Sequence, residues 1–314
     1  MFVLFSYERN QYLYSNMESI YQATGLSKSF GVGRFNMEAL DISINPGEIV
    51  GIVGENGNGK TTLLRLIAGD LSRDQGDISF NEQRINLLGW ENYKKSIAYI
   101  PQRIPRWHGN LRNNLIFQAS LLGYTNQDEL VDLFVEKLGL EEYVNLNWSE
   151  ISTGYRLRFQ LAKMLIGNPR LLVLDEPIAN LDVNAQEKFL GDLRKIVSDE
   201  TRKVSVILSS QQLHEIENVS DSIIFLKKGN LVYEGEISKI GENRENNQFE
   251  IKGNFTRSEL EFLINTVEIK ESGKTFDVKV PLEITAEDFL KIILKEDYKV
   301  SYFRDISSST KKLF

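Results

Sequence analysis

Apolar and polar positions alternate over residues 20–50, as in Ile20-Tyr21-Gln22-Ala23 and Ala39-Leu40-Asp41-Ile42-Ser43-Ile44, and Asn45-Pro46-Gly47 follows as a turn. A period of two predicts strands buried on one face, the opening of a β-hairpin layer. The pattern then changes. Glu48-Ile49-Val50-Gly51-Ile52-Val53, Leu171-Leu172-Val173-Leu174 and Val204-Ser205-Val206-Ile207-Leu208 are short apolar runs. Such runs predict strands buried on both faces, the mark of a sheet covered by helices. Leu63-Leu64-Arg65-Leu66-Ile67-Ala68 predicts a helix ended by Gly69. Residues 108–165 predict mainly helix, with Leu130, Leu133, Phe134 and Leu138 at helical spacing. Apolar segments at 222–226 and 231–233 flank Lys228-Gly229-Asn230, a hairpin signal.

Residues 241–247, Gly241-Glu242-Asn243-Arg244-Glu245-Asn246-Asn247, are polar and predict a linker. Past them a strand is expected at 248–252, then a helix opened by Thr256-x-x-Glu259, with Leu260, Leu263 and Ile264 on one face. A hairpin follows, with Val267 and Ile269 on one arm, Gly273 in the turn, and Phe276, Val278 and Val280 on the other. A second helix carries Phe289, Ile292 and Ile293 after Thr285-x-x-Asp288, and residues 298–303 form a last strand. The order βαββαβ predicts a small ferredoxin-like α+β domain over 248–314. It carries no chemical motif and reads as a packing or regulatory module.

Composition narrows the function. The chain has 314 residues, a net charge of −7 and no cysteine. The acidic balance argues against a nucleic-acid partner. The missing cysteines exclude disulfides and thiolate-held metals. His108 and His214 are far apart in sequence and read as surface residues. No apolar stretch reaches the ~18 residues that a membrane-spanning helix needs. Met1-Phe2-Val3-Leu4-Phe5 is too short for a signal-peptide core, and no basic residue precedes it. Residues 1–16 match nothing that follows. Met17 is favoured as the start, and an N-terminal extension over 1–18 is the alternative.

The chemistry begins at Gly54-Glu55-Asn56-Gly57-Asn58-Gly59-Lys60-Thr61-Thr62. This is G-x-x-x-x-G-K-[ST] between a predicted strand and a predicted helix, the context a phosphate-binding loop requires. The turn aims backbone N–H groups at one point, and the helix dipole adds positive potential there. Lys60 is placed to reach the β- and γ-phosphates and Thr61 to hold Mg²⁺. The strand at 171–174 runs into Asp175-Glu176-Pro177, delivering two carboxylates to the sheet's carboxyl edge, where ligands of open α/β sheets bind. Asp175 suits the Mg²⁺ shell. Glu176 is placed to orient or deprotonate an attacking water.

With these residues in view, 19–240 resembles the ATPase subunits of ABC transporters. Lys28-Ser29-Phe30-Gly31 resembles the aromatic loop, which implies that Phe30 stacks on adenine; the alternative is a core phenylalanine. Ala98-Tyr99-Ile100-Pro101-Gln102 resembles the Q-loop, whose glutamine contacts Mg²⁺ and the water. Ile151-Ser152-Thr153-Gly154-Tyr155 stands where the signature LSGGQ belongs and keeps its Ser and second Gly. Asn180-Leu181-Asp182 resembles the D-loop, and Ser209-Ser210-Gln211 stands at the H-loop. Gln211 replaces the family's usual histidine. An amide donates a hydrogen bond but carries no charge. Hydrogen bonds to charged groups are worth about 1.5–3 kcal/mol, so a weakened one slows chemistry about 10–100-fold.

The resemblance implies a P-loop NTPase fold of the ABC ATPase type: an α/β core, an antiparallel β subdomain and a helical subdomain near 108–165. It implies an ATP- and Mg²⁺-dependent ATPase working as a homo- or heterodimer, with Ser152 and Gly154 acting on the other copy's nucleotide. A separate transmembrane permease would dock around residues 103–125, placing the chain in the cytoplasm on the inner face of the membrane. Export is the expected direction. S-x-G followed by Arg156-Leu157-Arg158, and the tail Arg304-Asp305-Ile306-Ser307-Ser308, resemble ABC-2-type exporter ATPases. The alternatives are a soluble ABC-type ATPase acting on a cytosolic partner, and a non-hydrolysing ATP-gated regulator, the latter suggested by Gln211.

Overall fold

The computed structural model describes residues 19–239, 246–264, 266–273, 275–296 and 298–306. The expected extension over 1–18, most of the expected linker and the end of the C-terminal tail lie outside the described residues. The chain divides into two compact units, Met1–Ile237 and Ser238–Phe314.

In the first unit β1 (Tyr21–Ser29) and β2 (Asn36–Ile44) form the expected antiparallel pair, with Tyr21 opposite Ile44. β3 (Ile49–Val53) is buried at every position and leads into α1 (Lys60–Ile67). β4 (Gln75–Phe80) and β5 (Gln83–Arg84) complete an antiparallel sheet of order β2-β1-β4-β5. Short helices α2 (Ile85–Leu88) and α3 (Trp90–Ser96) precede β6 (Ile97–Ile100).

The helical region holds α4 (Leu111–Leu121), α5 (Gln127–Lys137) and α6 (Thr153–Ile166). The chain then returns to the sheet with β7 (Leu171–Leu174), α7 (Val183–Val197), β8 (Ser205–Ser210), β9 (Ser222–Lys227) and β10 (Asn230–Glu236). The second sheet has the order β10-β9-β3-β8-β7-β6 and is parallel except for β10 at its edge. One core joins the two sheets through α1: Tyr21, Leu40 and Phe80 pack in the same cluster as Ile52, Leu64 and Val173. The buried side chains Leu63, Leu64, Leu66 and Ile67 fasten α1 to the sheet, at about 1.5–3 kcal/mol each. The phosphate loop is thereby set on a rigid seam.

One helical phase differs from expectation. Leu133 is 38% exposed, because the inner stripe of α5 runs through Val131, Phe134, Val135 and Leu138. Those positions follow i, i+3, i+4, i+7, which leaves 133 on the outer face.

The second unit has β11 (Asn246–Gly253), α8 (Arg257–Leu263), β12 (Glu268–Ser272), β13 (Thr275–Pro281), α9 (Ala286–Lys295) and β14 (Val300–Asp305). Its antiparallel sheet has the order β12-β13-β11-β14, the ferredoxin-like arrangement expected. Thr256 and Glu259 form a reciprocal capping box, and Thr285 caps α9 through the Asp288 N–H. Phe249, Phe289 and Phe303 centre a separate core. β11 starts at Asn246, so the last two residues of the expected linker are strand. Asn247 is buried, and its amide donates to the carbonyls of Leu282 and Ile284. Polarity marks a linker only where no buried acceptors await the amide.

Candidate active site

The phosphate loop turns from β3 into α1 at Gly59, whose φ of +105° is left-handed. A Cβ there would stand 2.6 Å from the Phe35 ring, so glycine is required on both counts. No acidic side chain lies in the first turn of α1, so nothing there offsets the positive end of the helix dipole. Asn58 is buried and accepts a 2.9 Å bond from the Lys228 N–H, while its carbonyl accepts from Gly229 N–H. The hairpin between β9 and β10 thus braces the loop. Glu55, Asn56 and Gly57 are exposed at its crest, and Gly54 and Lys60 are buried at its ends. Thr61 and Thr62 follow on α1.

Three segments converge on two carboxylates at the end of β7. Lys60 Nζ is 3.1 Å from Glu176 Oε1 and donates to the Gly54 carbonyl at 2.7 Å. Gln102 Nε2 donates to Glu176 Oε2 at 2.7 Å, and Gln211 Nε2 donates to the same oxygen at 3.0 Å. Thr61 Oγ1 donates to Asp175 Oδ2 at 2.9 Å. Ser209 Oγ donates to Asp175 Oδ1 at 3.1 Å and accepts from the Glu176 N–H at 2.9 Å. Glu176 has a φ of +46°, unusual for a residue with a side chain, and this Ser209 bond helps hold it there.

Burial pushes the Asp175 carboxyl above its ordinary range, and the neighbouring Glu176 charge adds to this; Thr61, Ser209 and Lys60 oppose it. Tyr99, half-buried beside Asp175, is raised by burial first and by that carboxylate second. A polar cleft of about 110 Å³ opens beside Glu176, lined by Ser209, Ser210, Gln211 and Glu215. It has room for a water within reach of the carboxylate.

The donor set suits a small hard cation. The Thr61 hydroxyl and the Asp175 carboxylate already meet, and the Gln102 side chain reaches the same carboxylate cluster. Oxygen donors few in number, with space for substrate oxygens, match Mg²⁺. No group of three or more His, Cys, Asp or Glu that could hold a metal ion occurs among the described residues.

Phe30 is 41% exposed, which sets aside the core alternative. Its ring lies 6.4 Å from that of Phe35, the aromatic that touches the loop. Phe35, Asn58 as an anchor, Ser209 and Tyr99 were not singled out by sequence reasoning. Only Ser209 and Tyr99 carried a usable signal, since they lie in motif segments.

Ser152, Gly154 and Asp182 do not join this cluster. They line a cleft of about 230 Å³ with Tyr155, Arg158, Asn184, Ala185 and Lys188. Ser152 caps α6 by accepting from the Tyr155 N–H, and Asp182 caps α7 by accepting from the Ala185 N–H at 3.0 Å.

A family profile described as "ABC transporter" matches residues 37–179. The Phosphonates import ATP-binding protein PhnC 1 of Cupriavidus metallidurans is 30% identical over 241 residues, covering 68% of this chain and 81% of that protein. An uncharacterized ABC transporter ATP-binding protein of Bacillus subtilis, YxlF, is 30% identical over 215 residues, covering 67% of this chain and 69% of its own. Among solved structures, cbiO1 from Clostridium perfringens, part of the ABC transporter complex cbiONQ, superposes with a TM-score of 0.65 at 21% identity, over 73% of this chain and 96% of that one.

Proposed function

The chain belongs to the ABC transporter family as an ATP-binding ATPase, and on that premise we propose that two copies of an ATPase subunit sandwich ATP to drive a separate membrane permease. The observation that carries this reading is the convergence of Lys60, Gln102, Asp175, Glu176 and Gln211 at one end of the parallel sheet. The loop amides and Lys60 take the phosphates, Lys60 exchanging its contact with Glu176 for one with substrate. Phe30 stacks on adenine. Thr61, Asp175 and Gln102 would hold Mg²⁺, which when bound neutralises charge on the β- and γ-phosphates. Glu176 accepts a proton from a water that attacks the γ-phosphorus in line. The bond from phosphorus to the β–γ bridging oxygen breaks, and ADP and phosphate leave. Gln102 and Gln211 hold the Glu176 carboxylate through that step. Catalysis of this kind is mostly positioning and electrostatics.

The two-copy arrangement is supported by the separation of Ser152 and Gly154 from the phosphate-loop cluster in the same chain. Each copy carries half of two composite sites, with Asp182 at the D-loop beside the signature. Docking of a permease is supported by α4 and its end, where Phe117, Leu121 and Leu122 are 63%, 66% and 46% exposed. An apolar surface of this kind suits a helix of a membrane protein reaching into the cytoplasm. None of the helices among the described residues is long and apolar enough to cross a bilayer.

Export is the preferred direction, on the S-x-G signature form and the ferredoxin-like unit. Import is the second reading, favoured by the similarity to the phosphonates import protein. Purification of the tagged chain from detergent-solubilised membranes, with partners identified by mass spectrometry, tests the assignment. Recovery of a polytopic membrane protein is expected. Soluble partners alone would overturn it in favour of a cytosolic ATP-driven machine. Transport assays in inside-out vesicles holding the recovered permease then separate export from import.

A further inference from the structure

The cleft beside Ser152 is lined by two basic side chains, Arg158 and Lys188, besides the signature residues. Helices α6 and α7 pack against each other. A Cβ at Gly154 would lie 3.2 Å from Ala185 Cβ, and one turn further Arg158 Nε donates to Asp192 Oδ2 at 2.7 Å. Lys188 stands between those contacts, three residues past Ala185 and so on the same face of α7. Its Nζ lies 5.8 Å from the centre of the Tyr155 ring, and Arg158 Cζ lies 5.8 Å from the same ring. The ring of Tyr143 lies against that of Tyr155, with 3.8 Å between ring centres and a 31° tilt.

The charges in this cleft are unequally satisfied. Asp192 balances Arg158, yet Arg158 Nη1 is buried without a hydrogen-bond partner in a side chain only 5% exposed. Lys188 is exposed and makes no ion pair among the described residues. Asp182, the acid on the rim, has Oδ1 engaged in capping α7. The cleft therefore offers the exposed Lys188 ammonium and the start of the long helix α6, a combination suited to a phosphate group. At about 230 Å³ it has room for one. The phosphate-loop cluster is itself poor in positive charge. Lys60 faces both Asp175 and Glu176, and Gln211 adds none.

We propose that Lys188 is a phosphate-contacting residue that acts in trans, placing its ammonium on the γ-phosphate held by the Lys60 of a second copy. This rests on the two-copy reading above. It is the logic of a cation supplied from a partner to charge that grows in the transition state. A charged hydrogen bond lost there slows turnover about 10–100-fold.

The test compares the full-length wild type with Lys188→Ala, Lys188→Arg and Ser152→Ala, by steady-state ATP hydrolysis and by ATP binding to dilute single copies. Lys188→Ala is expected to lower kcat about 10–100-fold. Binding of ATP to single copies should stay within about twofold, and Lys188→Arg should recover most of kcat. A Lys188→Ala kcat near wild type, beside a Ser152→Ala loss of tenfold or more, would overturn the Lys188 role and leave the two-copy reading standing. Near-wild-type kcat in both would overturn the two-copy reading and this one with it. Loss of single-copy ATP binding in Lys188→Ala, unrestored by arginine, would mark a structural role and also overturn it.

Discussion

Glu176 receives hydrogen bonds or charge from Lys60, Gln102 and Gln211, and Asp175 from Thr61 and Ser209. At the cleft beside Ser152, by contrast, Arg158 Nη1 has no partner and Lys188 no ion pair among the described residues. The first cluster closes on itself. Its acids and donors come from β7, β8, α1 and the segment after β6, and each meets another within the chain. The second is open, with the Lys188 side chain exposed at its edge. A self-satisfied cluster keeps its geometry between turnovers, while a surplus of donors creates a preference for an anion from outside. The difference fits the reading proposed above, in which the carboxylates are held in one copy and the phosphate is clasped by two.

The sharpest way to break this comparison is Glu176→Gln. The variant keeps the shape of the cluster and removes the proposed base, so kcat should fall about 10²–10⁴-fold while ATP still binds, as read by phosphate release and equilibrium binding. Turnover at the wild-type rate would remove Glu176 from the chemistry. Arg158→Met tests the floor of the open cleft. It strands Asp192, whose carboxyl burial already pushes upward, and should cost about 3–5 kcal/mol in urea unfolding. A companion Asp192→Leu change should recover most of that loss, because the double variant leaves no charge buried alone. Gln211→Ala removes one of two amides on the same oxygen. It should lower kcat by about tenfold with ATP affinity kept, less than Glu176→Gln because Gln102 still holds the carboxylate. Asp182→Ala takes the cap from α7 and should cost about 0.5–2 kcal/mol in thermal unfolding.

The parts of the site that could be read in the sequence are those whose residues are neighbours in it. The phosphate loop is legible because strand, turn and helix are contiguous and the glycine spacing is dictated by backbone geometry. Asp175 and Glu176 are legible because they end a buried strand. Phe35 was invisible: its contact with Gly59 joins two elements through the antiparallel sheet. The bracing of Asn58 by the turn at Lys228 and Gly229 spans some 170 positions and has no local pattern. Lys188 carried no signal either, since a lysine on an exposed helix face reads as solvated until the packing of α7 on α6 shows what it borders. In the second unit, the threonine caps and the βαββαβ order were legible. The start of β11 was not, because Asn247 looks like linker until its acceptors at Leu282 and Ile284 are in place.

By itself the sequence determined the alternation of buried strands and helices, the phosphate loop, the paired carboxylates and the ferredoxin-like order of the second unit. Each of these follows from short-range rules: the side-chain period, the φ that glycine permits, the cap a threonine can make. Only the tertiary structure decided that Gln102 and Gln211 meet on one oxygen of Glu176, that Ser209 links the two acids, and that the signature residues open a cleft apart from the loop, walled by Tyr155 and edged by Lys188. Those facts depend on which strands lie side by side and how two helices are phased, and both are settled by the burial of a shared core.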